Sequence, residues 1–557
     1  LEHGEPETAG SAATLATRAG RSAVPALCCL AIGVTALTLR VVGKRVLYPY
    51  DLVAWADDYV LNELVKLRLG LPLYGSFADA NSFTYAPGGV LLQHALLAPL
   101  GLDLSLVANR ALGQLWLVLA VVLGVRLSAA IRESDSGARL GPLAFAAGAA
   151  ALLLAGYSNP LADSLHPATL ELLVLTVAAT CAAAWPGLSR VRRLGTVIVL
   201  PACAVCVKQS GSAVAFALAA VVLSSGGGSL RERLAYATAS LLSCASAMAS
   251  VLGATHGAFL YWGIALPWRQ PLMPHHVAYL VTYAAAIAPL LVVNAVAAAG
   301  ALRDGQSAQR AAWLRVAWFV PCYFVVSLPA FLRVGGGAFE FGPLTFLLAI
   351  LGLAYVTELL AAADGPLSRL TATTLAALQL LLWAPTRHAP SDDDRKVAET
   401  VCAHVREAVG CGERVLIDMG TACLVSQPVR EPARDRLPTM MELTWAGLGN
   451  TPAAATRLAR EDYDMLALHF MPLPWPWSAR ARDLIAQHYQ AFTALPPNSE
   501  LPNTRFGLND KPRFDDWQGM DWGVVLFERK RESGRHRKTI AGPARCAGMT
   551  ARAREPR

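Results

Sequence analysis

The chain has 557 residues, is 54% hydrophobic and only 16% charged, and has a mean hydropathy of +0.41. Soluble domains carry about 25% charged residues, so this composition excludes an ordinary soluble fold and calls for a membrane protein. The formal net charge of +8 does not point to nucleic acid, because the arginines stand at the ends of apolar runs and in the tail and read as topology signals there.

Residues 1–21 are small and polar and read as a disordered segment. The apolar run that follows is too long for a signal sequence and lacks a small-residue cleavage site, so it reads as a retained first helix. A crossing helix needs about 20 apolar residues. Runs of this kind fall roughly at 22–43, 104–126, 141–157, 168–185, 194–207, 210–225, 234–253, 277–300, 314–332, 342–361 and 369–385, about eleven in all. With the N-terminus cytoplasmic, Arg126, Arg132 and Arg139, then Arg190, Arg192 and Arg193, fall on the inside, with few cations outside. That bias predicts a multi-pass protein of the plasma (inner) membrane, and the odd count puts the C-terminal domain outside.

Two outer segments are too long for turns. In the first, about 44–103, residues 59–69 read as an amphipathic helix with Val60, Leu64 and Leu67 on one face, stopped by Gly70 and Pro72. Residues 88–100 are apolar but short and read as an interfacial or re-entrant helix. The second, about 254–276, holds His256, His275, His276, Trp262 and Trp268. The spacing of these histidines supplies no third metal ligand, so they read as solvated, beside interfacial aromatics.

After Pro385 the pattern changes. A helix near 391–410 and strands in ERVLIDM, YDMLALHF and WGVVLFERK predict a small α/β domain over 386–530, followed by a basic disordered tail over 531–557. Trp475 and Trp477 read equally as a sugar-stacking surface or as packing. Cys402, Cys411 and Cys423 lie close enough in sequence for one disulfide among them in an oxidising compartment. Cys203 and Cys206 form a CxxC without a second pair or a histidine and read as small apolar residues.

The chemistry concentrates in the first outer segment. Asp51, Asp57 and Asp58 lie beside Trp55 and Tyr59, with Tyr85 further on. A solvated loop accounts for them equally well. The functional reading is a general base. A sugar on a phosphate carrier already has a leaving group, and what transfer lacks is a deprotonated acceptor hydroxyl.

Taken in order, Asp57-Asp58-Tyr59, Gly70-Leu71-Pro72-Leu73-Tyr74 and Tyr85-Ala86-Pro87-Gly88 resemble the GT-C superfamily of polyprenyl-phosphate-sugar-dependent membrane glycosyltransferases, the protein mannosyltransferase and aminoarabinose transferase kind. The usual acidic pair there is Asp-Glu; here it is Asp-Asp. The resemblance covers about residues 22–385 and implies a GT-C-like domain over them. It implies that Asp58 is the catalytic base, with Asp57 and Asp51 behind it. It further implies substrate contacts at Tyr85, Arg110, Asp163, His166, Lys208, Gln209, Arg333 and Glu340, where His166 stands in place of the arginine common in relatives. Lys208, Arg333 and Arg110 would neutralise the carrier phosphate. The implied partners are a polyprenyl-phosphate-linked sugar, a glycan, lipid or protein acceptor, and membrane lipid, with no nucleic acid. No cofactor is read from the sequence, and a divalent cation is left open. Two rival classes stand beside this one. A transporter or flippase should show inverted repeats, and none is visible; a membrane scaffold with a partner-binding domain would have no use for the aspartates.

Overall fold

In hydrocarbon the backbone must satisfy its own hydrogen bonds, so long apolar runs fold as helices. The structure is a computed structural model that describes residues 8–50, 54–75, 81–132, 141–159, 161–225, 228–274, 276–303, 307–333, 338–361, 366–383, 385–386, 389–390, 392–417, 423, 452–470, 479–495, 503–504 and 523–530. The helices are α1 (Thr8–Val46), α2 (Ala54–Arg68), α3 (Gly88–Leu97), α4 (Leu106–Ala130), α5 (Gly141–Tyr157), α6 (Ala168–Ala183), α7 (Arg190–Val207) and α8 (Ser212–Ser224). They continue with α9 (Leu230–Ala254), α10 (Leu266–Arg269), α11 (His276–Ala286), α12 (Ala288–Arg303), α13 (Ala308–Ala317), α14 (Phe319–Phe331), α15 (Gly342–Ala361) and α16 (Pro366–Trp383). Serines open several of them: the hydroxyls of Ser105, Ser189, Ser229 and Ser307 each accept a backbone N–H in the first turn of α4, α7, α9 and α13.

Each interval expected to hold a span contains helix. Among the described residues, five stretches are long and apolar enough to cross a membrane by themselves: Val24–Val46, Leu106–Ala130, Leu230–Ala254, Ala308–Phe331 and Phe339–Leu360. The pair α11 and α12, bent by 69°, makes a sixth if it is one span. Five or six crossings thus meet this test, against about eleven expected. The shorter apolar helices, α5, α6 and α8 among them, pack inside the bundle.

The bend has a cause. Pro289 has no N–H to give and its ring clashes with the preceding turn. Gln379 of α16, buried, mends the break: its Oε1 accepts from the Leu290 N–H at 3.2 Å, and its Nε2 donates to the Ala286 carbonyl at 3.1 Å. Gln379→Leu strands both backbone groups in an apolar interior and is expected to cost about 1–3 kcal/mol for each. A thermal melt of the detergent-solubilised protein reads it.

The C-terminal part is the expected α/β unit. α17 (Asp392–Gly410) packs Val401, Val405 and Ala408 onto Ile417, Met465 and Leu526. The sheet runs in the order β2 (Val415–Ile417), β3 (Met465–Phe470), β6 (Gly523–Arg529), β4 (Tyr489–Leu495), with β2–β3 parallel and the other pairs antiparallel. β1 (Pro385–Thr386), at the end of the helical domain, pairs with β5 (Asn503–Thr504). Cys402 and Cys423 form a disulfide.

Candidate functional site

Helix α2 is the first surprise. The amphipathic reading predicts one wet face, yet Val60, Leu61, Leu64 and Val65 are buried together with Asp57, Asp58, Asn62, Glu63 and Lys66. Five ionisable or amide side chains on one short helix are therefore shut away from solvent. Charges in such places must be paired.

Their partners come from distant parts of the chain. Arg110, in the first turns of α4, is fully buried and gives its guanidinium to four acceptors: the carbonyls of Arg45, Tyr48 and Tyr50, and Asp57 Oδ2 at 2.7 Å. The other oxygen of Asp57 accepts from the Leu165 N–H at 2.9 Å. Both Asp57 oxygens are thus engaged. Nearly two turns along, Glu63 meets Lys66 at 2.9 Å, and Lys66 also donates to the carbonyls of Leu73 and Asn81. Burial pushes the Glu63 carboxyl up, against the pull of Lys66. Asp58, wholly buried, sits between these two fixed points on the same helix. Asp51 lies outside the described residues.

The segment after α2 closes over it. Tyr59 Oη donates to the Ser82 carbonyl at 2.6 Å, Tyr74 Oη to the Tyr85 carbonyl at 2.7 Å, and Trp262 Nε1 to the Gly75 carbonyl at 3.0 Å. The glycines after Pro87 are there for approach. A Cβ on Gly88 would come 2.6 Å from the Cys206 carbonyl oxygen, and one on Gly89 would come 2.6 Å from Pro167. Helix α3 can therefore dock on the ends of α6 and α7 only without side chains at its start.

A second set of charges lies where α6, α7 and α15 meet. Lys208 Nζ is 3.0 Å from Glu340 Oε2 and 3.9 Å from Glu171 Oε2, and Ser210 donates to Glu171 at 2.5 Å. Burial pulls the Lys208 ammonium down, but the two carboxylates outweigh it and hold it up. Gln209, next along, donates to the carbonyls of Thr84 and Gly263 at 2.9 and 3.0 Å and so ties the Tyr85 segment to the π-helical turn Leu260–Ala265. Asp163 pairs with Arg45 at 2.6 Å, both buried. His166 is buried with its ring edge-on to Tyr85, centroids 4.9 Å apart.

Asp57, Asp58, Tyr85, Arg110, Asp163, His166, Lys208, Gln209 and Glu340 thus gather at one end of the bundle. That end holds the C-terminal ends of α1 and α7 and the N-terminal ends of α4, α6 and α15. Arg333 does not join them in the same way. Its guanidinium donates to the carbonyls of Trp268 and Gln270 and lies 4.7 Å from the centroid of the Trp268 ring, clamping the end of α10 onto α14. The glycines at 335–337, His275, and the tryptophans at 475 and 477 lie outside the described residues. His276 is not solvated as expected: it is buried, with Nδ1 2.8 Å from the Phe331 carbonyl and its ring stacked on Tyr279. Trp262 is likewise core, while His256 and Trp268 are exposed.

Sequence reasoning passed over Arg45, Glu63 and Lys66. Arg45 did carry a signal. It stands with Lys44 at the end of the first helix that the orientation assigns to the outside, where cations are scarce and one needs a local reason to be there. That reason is Asp163.

Fold and site define a multi-pass helical membrane protein that collects a buried set of charges at one end of its bundle. No protein-family model and no curated protein matches the chain. Among solved structures it is similar to ArnT from Cupriavidus metallidurans bound to undecaprenyl phosphate, at 14% identity and a TM-score of 0.47, with 90% of this chain and 98% of that one covered. It is also similar to ArnT from the same organism in the apo state, at 13% identity and a TM-score of 0.49, with 88% and 96% covered. The likeness is one of fold.

Proposed function

We propose that this protein is a membrane glycosyltransferase that moves a sugar from a polyprenyl-phosphate carrier to an acceptor hydroxyl, with Asp58 as general base. One observation carries the reading. Of two consecutive aspartates on α2, Asp57 spends both oxygens on Arg110 and Leu165, which makes it the anchor and supports its neighbour as the base. A base fixed on a rigid helix, itself tied at both ends, meets the positional demand of proton abstraction.

The carrier phosphate falls to Lys208. The hydrogen bonds of Arg110, and those seen for Arg333, go to the protein itself, so these arginines shape the site. Lys208 is held by side chains alone, and Glu340 keeps part of its surface exposed. The site end and the C-terminal domain face the extracytoplasmic side in this reading. The Cys402–Cys423 disulfide supports that side, since such bonds persist in oxidising compartments.

The test is transfer by the purified protein in lipid, offered labelled undecaprenyl-phosphate sugars of several kinds. Product from at least one sugar is expected. No transfer and no binding of any carrier would return the weight to a transporter or a scaffold.

A further inference from the structure

The backbone around His166 is held from three directions. The Leu165 N–H is bound by Asp57 at 2.9 Å, the Leu165 carbonyl by Gln93 Nε2 at 2.9 Å, and the His166 N–H by Ser164 Oγ at 3.2 Å. Pro167 then caps α6 and packs against the start of α3. Every local device fixes where the imidazole stands. Yet the ring, only 2% exposed, has no hydrogen-bond partner on either nitrogen among the described residues. Two unmet polar atoms on one buried side chain are costly, about 1–3 kcal/mol each, and folded proteins rarely leave them so without a use.

We propose that His166 is a specificity-determining residue that reads a sugar hydroxyl, binding it through the two buried ring nitrogens beside Tyr85 that no described group satisfies. This rests on the transferase reading given above. The chemistry selects the ligand class. Burial, and then the nearby Lys208 ammonium, hold the imidazole neutral, well below its ordinary range. A neutral imidazole has one N–H and one bare nitrogen. A phosphate or carboxylate would be drawn to the first and repelled by the second. A hydroxyl gives and accepts at one atom, so it suits either nitrogen in either tautomer. The Tyr85 ring stands perpendicular to the imidazole, with centroids 4.9 Å apart, and keeps an aromatic surface beside the ring nitrogens.

The hydroxyl could come from the transferred sugar or from a sugar acceptor. The experiment separates the two. Wild type, His166→Leu and His166→Asn are each given the carrier-linked sugar that the wild type turns over best, and then each of its mono-deoxy analogues. A second arm keeps the donor fixed and varies deoxy acceptors. In one arm the wild type is expected to prefer the parent over one analogue by about tenfold to a hundredfold in kcat/KM, because a missing hydroxyl strands the ring. His166→Leu should bring that ratio close to one by losing the parent and not the analogue. His166→Asn keeps one donor and one acceptor on a shorter arm and should retain part of the ratio; it serves alone where the leucine variant does not fold. A wild type that transfers sugar, with variants that keep every ratio in both arms, overturns the assignment of His166 while leaving the transferase standing. A wild type that neither transfers nor binds any carrier overturns both.

Discussion

Asp58→Asn is expected to lower sugar transfer by about 10²–10⁴-fold, the range that a positioned general base contributes, with little change in the melt. The substitution keeps shape and removes the basic lone pair. Its neighbour makes the internal control. Asp57 accepts from Arg110 and from the Leu165 N–H, so Asp57→Asn must turn an NH₂ toward one of two donors. It leaves the Arg110 guanidinium short of its counter-charge in a fully buried position. That variant should lose stability first, and activity only as the fold loosens. Adjacent residues of one type are thus expected to fail in opposite ways. Steady-state transfer rates and a thermal melt on both proteins decide it. If Asp58→Asn stays within a few-fold of wild type, or if Asp57→Asn is inactive with an unchanged melt, the base has been placed on the wrong carboxylate.

The parts of this molecule that local pattern dictates were legible in the sequence. Apolar run length located the bundle helices, α17 fell where an amphipathic helical period placed it, and strands β2, β3 and β6 fell in the short apolar runs read as strands. Strand β4 was missed because YQAFTAL follows the helix Ala479–His488 directly, with no turn residues to mark a change of period. The bend between α11 and α12 was hidden for a different reason. Pro289 announces a weak point, but the mend comes from Gln379, some ninety residues on. The site shows the same limit. Asp57 and Asp58 read locally as part of a solvated loop, and Glu63 and Lys66 lie in a stretch that reads as an amphipathic surface helix. Their burial depends on Arg110, 53 residues away from Asp57, and on the segment around Leu73 and Asn81 folding back. Polarity is written in the sequence; the pairing that makes it affordable in the interior is not.

Arg110→Met is the largest single loss expected in stability. The arginine satisfies the carbonyls of Arg45, Tyr48 and Tyr50 and the Asp57 carboxylate from one fully buried guanidinium. It therefore does two jobs. It ends α1 by binding one carbonyl of its last turn and two just beyond it, and it pins α2 against α4. Removing one partner of a buried pair leaves an uncompensated charge, which costs about 3–5 kcal/mol. The lost hydrogen bonds to the Tyr48 and Tyr50 carbonyls add to that unless water reaches them, whereas the Arg45 carbonyl still accepts the Tyr48 N–H at 3.2 Å. Adding Asp57→Leu removes the stranded charge, so the double variant should be more stable than Arg110→Met alone, though short of wild type because the Leu165 N–H has lost its acceptor. A double-mutant cycle with a thermal or denaturant readout measures this coupling, and simple addition of the two losses would mean that the pair does not act as one unit. Activity adds a second constraint. Asp58 is the next residue on the helix that Arg110 pins, so whatever fraction of Arg110→Met remains folded should still transfer sugar poorly. If the folded fraction is fully active, then α2 is positioned by Glu63 and Lys66 alone, and Arg110 serves the fold without serving the base.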